Sequence, residues 1–276
     1  MDTNKVQILI CPLCGGDSRS TWNEAGYYAF RCKRCGVVFS ESRNNTFLYD
    51  KNYFYRWYIR SAQKRKRYLK KILKKIERKY TKLPEGNYLD VGCGAGIFLD
   101  IAKQNHWKAV GVDISPAALA YCRQKKFNVI QGHLSELSLP SGYFDVVVLF
   151  DVIAHIENPV DYLKEIKRVI RDDGLVIIKT PKHPSRLFYI ARLFKFTRKS
   201  RVLLHIPAQI FHFEETSLQK FCFMNGFNVV CIFTLDDIPG FFLKKSPVYM
   251  LLFFLQAFLK IFCGRNSMVA VCQKKI

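Results

Sequence analysis

Residues 87–100 read NYLDVGCGAGIFLD. The short apolar run NYLDV meets three glycines at alternate positions, Gly92, Gly94 and Gly96, and then a segment whose apolar residues recur at helical spacing. Strand, glycine turn and helix in that order open a doubly wound α/β sheet and build a ligand-binding turn into it. A P-loop closes its turn with GK[ST], which is absent here. A dinucleotide turn, GxGxxG, needs a third glycine where this chain has Ile97.

The alternation continues outward from this turn. Strands are predicted at 87–91, 108–114, 127–132, 143–150 and 174–180, with helices at 95–105, 116–125 and 160–170 between them, Pro116 suiting a first helical turn. The stretch 216–235 reads as a helix closed by Gly226 and then a sixth strand, and 267–275 as a seventh. The fold class is α/β, a doubly wound, seven-stranded and mostly parallel sheet.

Two acids narrow the ligand. Asp90, leading into the turn, repels a pyrophosphate and suits an ammonium or sulfonium. Asp113, at the end of the second strand, is placed to accept the two hydroxyls of a ribose. A ribose-bearing, positively charged, phosphate-free ligand is S-adenosylmethionine (SAM).

The successive motifs LDVGCGAGIFLD, GVDIS, FDVVVLFDVIAHIENP and GLVIIKTP resemble those of class I SAM-dependent methyltransferases over about residues 85–235. With the CxxC pairs near the start, YDKNYF and the late HFEETSLQKFCFMNGFNVV, the layout resembles a subgroup that modifies sugars and other small molecules. The resemblance implies that Gly92, Gly94 and Gly96 let the backbone approach the cofactor and that Asp113 holds the ribose. It places Ile114 against adenine and points Phe150 and Asp151 toward the cofactor. Where the family offers an acid to the adenine amine, this chain has His133 followed by Leu134, and where the subgroup has Glu-His it has Ala154-His155.

Methyl transfer from a sulfonium is an in-line displacement, dominated by positioning. A hydroxyl acceptor benefits from a base, and His155 is the candidate; the alternative is that it caps the following helix. A [DN]PP[FY] motif and a Pro-Cys pair are both missing after the fourth strand, so oxygen or carbon is favoured over nitrogen as acceptor.

Ahead of this domain, Cys11, Cys14, Cys32 and Cys35 fall as C-x2-C-x17-C-x2-C. Each pair presents two sulfurs from one tight turn to a tetrahedral zinc ion, with Gly15 and Gly36 behind the second cysteine. Four sulfurs close the site, so the zinc is structural; a ribbon that also grips nucleic acid or substrate is the sharper alternative. The organisation is a zinc ribbon at 1–42, an aromatic and basic helical linker at 43–84, and a transferase domain at 85–276 with insertions at about 181–213 and 235–266.

The chain of 276 residues carries 44 Lys and Arg against 22 Asp and Glu, a net charge of +22. Such an excess favours phosphorylated substrates, acidic membrane surfaces or nucleic acid. In the linker, Leu69, Ile72, Leu73, Ile76 and Tyr80 form one apolar stripe and Lys and Arg fill most other positions. This basic face is either solvated or in contact with phosphates. Residues 247–263 are almost wholly apolar but shorter than a membrane span, and read as packed on the domain, on a twin subunit in a homo-oligomer, or in a membrane interface. The N-terminus lacks a signal-peptide pattern, giving a cytoplasmic address, with peripheral association at the inner face of a membrane where a lipid-linked acceptor would lie. The rival is an RNA methyltransferase, since a zinc ribbon before this core also resembles the ribosomal-RNA guanine methyltransferases. Their second zinc pair includes a histidine, whereas all four ligands here are cysteine.

Overall fold

The computed structural model describes residues 8–24, 27–40, 59, 61–184, 209–236 and 266–275. The segment YDKNYF, most of both expected insertions and the apolar run 247–263 lie outside these residues.

The N-terminal part is a small antiparallel sheet of β1 (Ile8–Ile10), β2 (Asp17–Glu24), β3 (Tyr27–Cys32) and β4 (Val38–Ser40). A basic helix, α1 (Ala62–Lys79), follows. Its Leu69, Ile72, Leu73 and Ile76 are buried as the stripe predicts, and Tyr80 is half-buried. Each aliphatic burial is worth roughly 2 kcal/mol, which fastens a helix of ten cations and one acid to the sheet. Arg78 and Lys79 in the last turn complement the helix dipole.

The main unit then alternates: β5 (Asn87–Val91), α2 (Ile97–Gln104), β6 (Lys108–Asp113), α3 (Pro116–Gln124), β7 (Val129–Gln131), β8 (Phe144–Phe150), α4 (Pro159–Val169), β9 (Ile170–Pro181), β10 (Phe211–His212), α5 (Glu215–Met224), β11 (Phe227–Leu235) and β12 (Ser267–Lys274). The seven-stranded sheet runs β11-β12-β9-β8-β5-β6-β7. The pairs from β9 to β7 are parallel, and β12 lies antiparallel to both its neighbours. Alternate strand residues feed two core faces. Tyr88, Val146, Val148 and Ile177 pack under α1 and α2, while Leu89, Val147, Leu149 and Ile178 pack against α4 and α5.

Two boundaries differ from the sequence reading for local reasons. The helix expected from residue 95 starts at Ile97, because Gly96 takes a left-handed φ of 67°. The fifth strand starts at Ile170, paired with Phe144, and the ladder resumes at Leu175; the polar residues 171–174 form an irregularity between.

The ribbon does not stand apart. Strand β10 pairs antiparallel with β4, Phe211 opposite Phe39 and His212 opposite Val38, and so becomes the fifth strand of the small sheet. Phe30, Val37 and Phe39 share one buried cluster with Phe211, Phe213 and Phe221. Arg31 and Glu214 add an ion pair at 2.7 Å across the same junction. Among the described residues, no helix is long and apolar enough to cross a membrane.

Candidate active site

The glycine turn lies at the carboxyl end of β5, beside the end of β6. Gly92, Gly94 and Gly96 have φ of 70°, 51° and 67°. At Gly92 a side chain is excluded twice: the backbone is left-handed, and a Cβ would come within 2.4 Å of Val152 Cγ2. The Gly92 amide donates to the Val112 carbonyl at 2.7 Å, tying the turn to β6.

Asp113 completes the turn. The Gly94 amide donates to its Oδ2 and the Ser115 amide to its Oδ1, both at 2.8 Å. Each oxygen thus accepts one bond and keeps a lone pair for a hydroxyl. Ser115 also caps α3, accepting from the Ala118 amide, with Pro116 in the first turn. Burial raises the Asp113 carboxyl above its ordinary value, and the backbone donors oppose the rise.

Asp90, 3% exposed, is pushed up to about 8 by burial and by the charge of Asp113. Among the described residues neither acid has an ion-pair partner. One carboxylate and one buried acid that a cation would ionise, without a counter-cation among the described residues, form a site in which a sulfonium or ammonium is favoured and a phosphate is not. This donor set fits SAM.

The other expected positions surround the same strand ends. Ile114 is 45% exposed just beyond Asp113. His133 is exposed, and its ring Nδ1 lies 3.1 Å from the Tyr162 hydroxyl. Leu134 opens a 3-10 turn at 134–136, and its side chain is fully buried in the core, which leaves only its backbone for a ligand. Phe150 is half-buried with its ring 5.8 Å from that of Phe98. Asp151 has a left-handed φ of 61°, and both its carboxylate oxygens face the Lys179 ammonium, at 2.8 and 2.7 Å. His155 is half-buried in the turn at 153–155, its amide donating to the Val152 carbonyl at 2.8 Å. The helix after it has Asn158, not His155, at its N-cap position, and the Asn158 side chain makes no capping bond.

Three features here were not anticipated. Lys179 stood inside an apolar strand pattern and Tyr162 inside an amphipathic helix, where neither residue type announces a polar role. The third is the strap 210–213: Ile210 and Phe211 amides both donate to the Ala154 carbonyl, at 2.8 and 3.1 Å, and the Ser40 amide donates to the Ile210 carbonyl at 2.9 Å. The ribbon is thereby joined through one short segment to the turn that carries His155.

The four ribbon cysteines converge as their spacing predicts. All four sulfurs lie within 4.8 Å of one another, with 3.8 Å between Cys11 and Cys35 and 3.4 Å between Cys14 and Cys32. Four thiolates about 2.3 Å from one tetrahedral zinc are separated by ~3.8 Å, so the cluster fits that ion. Gly15 and Gly36 take the positive φ of the two knuckles, 69° and 81°. The Arg34 and Cys35 amides point at Cys32 Sγ, at 3.3 and 3.4 Å, as donors to a thiolate do.

Comparison with known proteins agrees with the fold. Residues 61–232 match the family described as "Methyltransferase domain". A probable S-adenosylmethionine-dependent methyltransferase of Mycobacterium tuberculosis is 36% identical over 95 residues, 34% of this chain and 35% of that protein. A ubiquinone biosynthesis O-methyltransferase of Rickettsia bellii is 27% identical over 125 residues, 43% of this chain and 52% of that protein. The chain therefore spans between a third and about half of the length of these curated relatives. Among solved structures, the magnesium protoporphyrin IX methyltransferase of Synechocystis with bound SAH has a TM-score of 0.58 at 14% identity, covering 83% of this chain and 97% of that one. A SAM-dependent methyltransferase of Archaeoglobus fulgidus has 0.55 at 20% identity, covering 79% and 99%. At these identities the structures speak for the fold alone. With the family match covering well over half of its length, the chain belongs to the methyltransferase-domain family and has the class I SAM-dependent methyltransferase fold.

Proposed function

We propose that this protein transfers a methyl group from SAM to an oxygen or carbon of a sugar, a lipid-linked molecule or another small amphipathic acceptor. The observation that carries the reading is the buried Asp90 and the half-buried Asp113 at a three-glycine turn, two acids with no ion-pair partner among the described residues. The ubiquinone O-methyltransferases among the relatives support an oxygen acceptor.

When bound, SAM supplies an electrophilic methyl on a sulfonium. Asp113 would hold the ribose diol with the lone pairs left by the Gly94 and Ser115 amides. Asp90, losing its proton as a sulfonium binds, would supply it with negative charge. Ile114 offers an apolar surface to adenine, and the backbone at Leu134 a polar edge. His155 would accept the proton of an acceptor hydroxyl, through whichever ring nitrogen faces it. Cys11, Cys14, Cys32 and Cys35 would hold a structural zinc ion and so fix the strap beside that histidine. The protein would work in the cytoplasm, at the inner face of a membrane where the acceptor is lipid-linked.

Calorimetry with SAM and tritiated-methyl transfer into a fractionated lysate test this reading. SAM binding with label in a lipid or sugar fraction is expected; no SAM binding overturns it. A His155→Asn variant should lose the rise of kcat with pH while keeping its affinity for SAM. The ten cations of α1 favour a second reading, in which the acceptor is RNA. Label in the RNA fraction, with binding that weakens steeply in salt, would select it.

A further inference from the structure

Beside the glycine turn, on the face carrying α1, α2 and α3, lies a cleft of about 320 Å³. Its walls come from the first turns of α1, from Gly96 and the start of α2, and from the end of α3. Four cations line it, Lys66, Arg67, Lys70 and Lys125, with Asp100 as the one carboxylate among the lining residues.

Lys66 neutralises Asp100 at 2.5 Å. Among the described residues, Arg67, Lys70 and Lys125 have no carboxylate partner. Lys70 donates to the neutral Gln104 side chain at 2.8 Å, and Lys125 lies 4.7 Å over the Tyr121 ring. The N-terminus of α2 adds partial positive charge from the same wall, because its cap residue Gly96 has no side-chain oxygen to offer its amides. Among the described residues the cleft therefore holds three positive charges without a carboxylate partner, the opposite of the acid-lined glycine turn next to it.

We infer that this cleft binds a phosphate or diphosphate group, the anionic anchor of the acceptor. The inference rests on the transferase reading above for the identity of that acceptor. A single carboxylate would leave two of the three cations unmatched, whereas a diphosphate meets them all. The volume is at the lower end of ligand pockets, ~300 Å³, which suits a headgroup. The sulfonium and the phosphate then occupy separate sites of opposite charge that share the residues of one turn.

The test is calorimetry on the full-length protein with inorganic pyrophosphate and, separately, with SAM. Arg67→Gln/Lys70→Gln/Lys125→Gln removes the unmatched charges; Lys71→Gln/Lys74→Gln/Arg78→Gln removes three cations of α1 that do not line the cleft. Gln keeps helix propensity at the substituted positions. The first variant should bind pyrophosphate at least tenfold more weakly and the second within twofold of wild type, with SAM affinity unchanged in both. Flotation with vesicles of phosphatidic acid in phosphatidylcholine separates the sources. Vesicle binding lost in the first variant alone assigns the phosphate to a lipid headgroup; pyrophosphate binding without vesicle binding assigns it to a soluble ester, and either result upholds the site. No pyrophosphate binding by wild type, equal losses in both variants, or a loss of SAM affinity in the first overturns it. Failure of wild type to bind SAM would instead sink the transferase reading and leave the pyrophosphate result standing.

Discussion

The Lys179 ammonium sits 2.8 and 2.7 Å from the two carboxylate oxygens of Asp151, while the Asp151 amide returns to the Lys179 carbonyl at 2.8 Å. The ends of β8 and β9 are thus tied twice at the edge where the cofactor turn lies. The lysine side chain is 4% exposed and the aspartate 32%, so the charges are compensated inside and reachable only from the aspartate side. Lys179→Met should cost about 2–3 kcal/mol by leaving Asp151 partly buried and unpaired. Asp151→Asn/Lys179→Met should recover at least half of that loss. Urea midpoints for wild type, Lys179→Met, Asp151→Asn and the double variant give the coupling; additive losses would show that the pair does not act as a unit.

Asp90 gives a pH signature. The folded protein keeps its proton up to about 8, while the unfolded chain releases it near the ordinary 3.8. The folded state therefore binds more protons between these values, and stability falls as pH rises from about 4 to 8. Asp90→Asn lacks that loss, so its melting temperature should overtake that of wild type progressively from pH 5 to 8 and then run parallel. A sulfonium favours the ionised acid, so SAM should bind wild type more tightly at pH 9 than at pH 6, with proton release seen in buffers of different ionisation enthalpy.

Asp113 is a wall of the turn and, in the proposed function, its ligand hook. Asp113→Ala would remove the two charge-assisted hydrogen bonds proposed to a ribose, together with the anchor of the Gly94 amide. A fall in SAM affinity of about a hundredfold is expected, from roughly 1.5 kcal/mol per bond. Unchanged affinity in calorimetry would remove Asp113 from the site.

Metal removal should reach beyond the ribbon. Stripping zinc with a chelator, or Cys14→Ser, should release about one equivalent of zinc, read with a chromogenic chelator. Because β4 carries β10, amide exchange should rise at 38–40 and also at 210 and 211, and much less in β5 and β8. Exchange confined to residues before 40 would show that the two sheets are energetically separate.

The order of strands and helices was legible because each element carries its own signal: the NYLDV run, Pro116 at a helix start, Gly226 at a helix end. The cysteine knuckles were legible for the same reason, since CxxC spacing is local. What escaped were relations between distant segments of opposite or neutral character. Lys179 looks like an intrusion in an apolar strand until β8 brings Asp151 beside it. The pairing of β10 with β4 leaves no trace in either two- or three-residue strand, because backbone hydrogen bonds do not depend on side-chain type. Asp90 was readable as an acid that suits a cation, but its suppressed ionisation follows from burial among strands that the sequence alone does not bring together.

The pairing of β4 with β10 also sets an order of events during synthesis. Ser40 meets Gln209 across 169 residues of chain, so the first module emerges from a ribosome long before its last strand exists. Until then the edge of β4 is an open template for any passing strand. Early capture of the metal would hold that edge in shape, and arrival of residues 209–213 would seal it. A fragment ending near residue 42 would keep the cysteines and still present that raw edge.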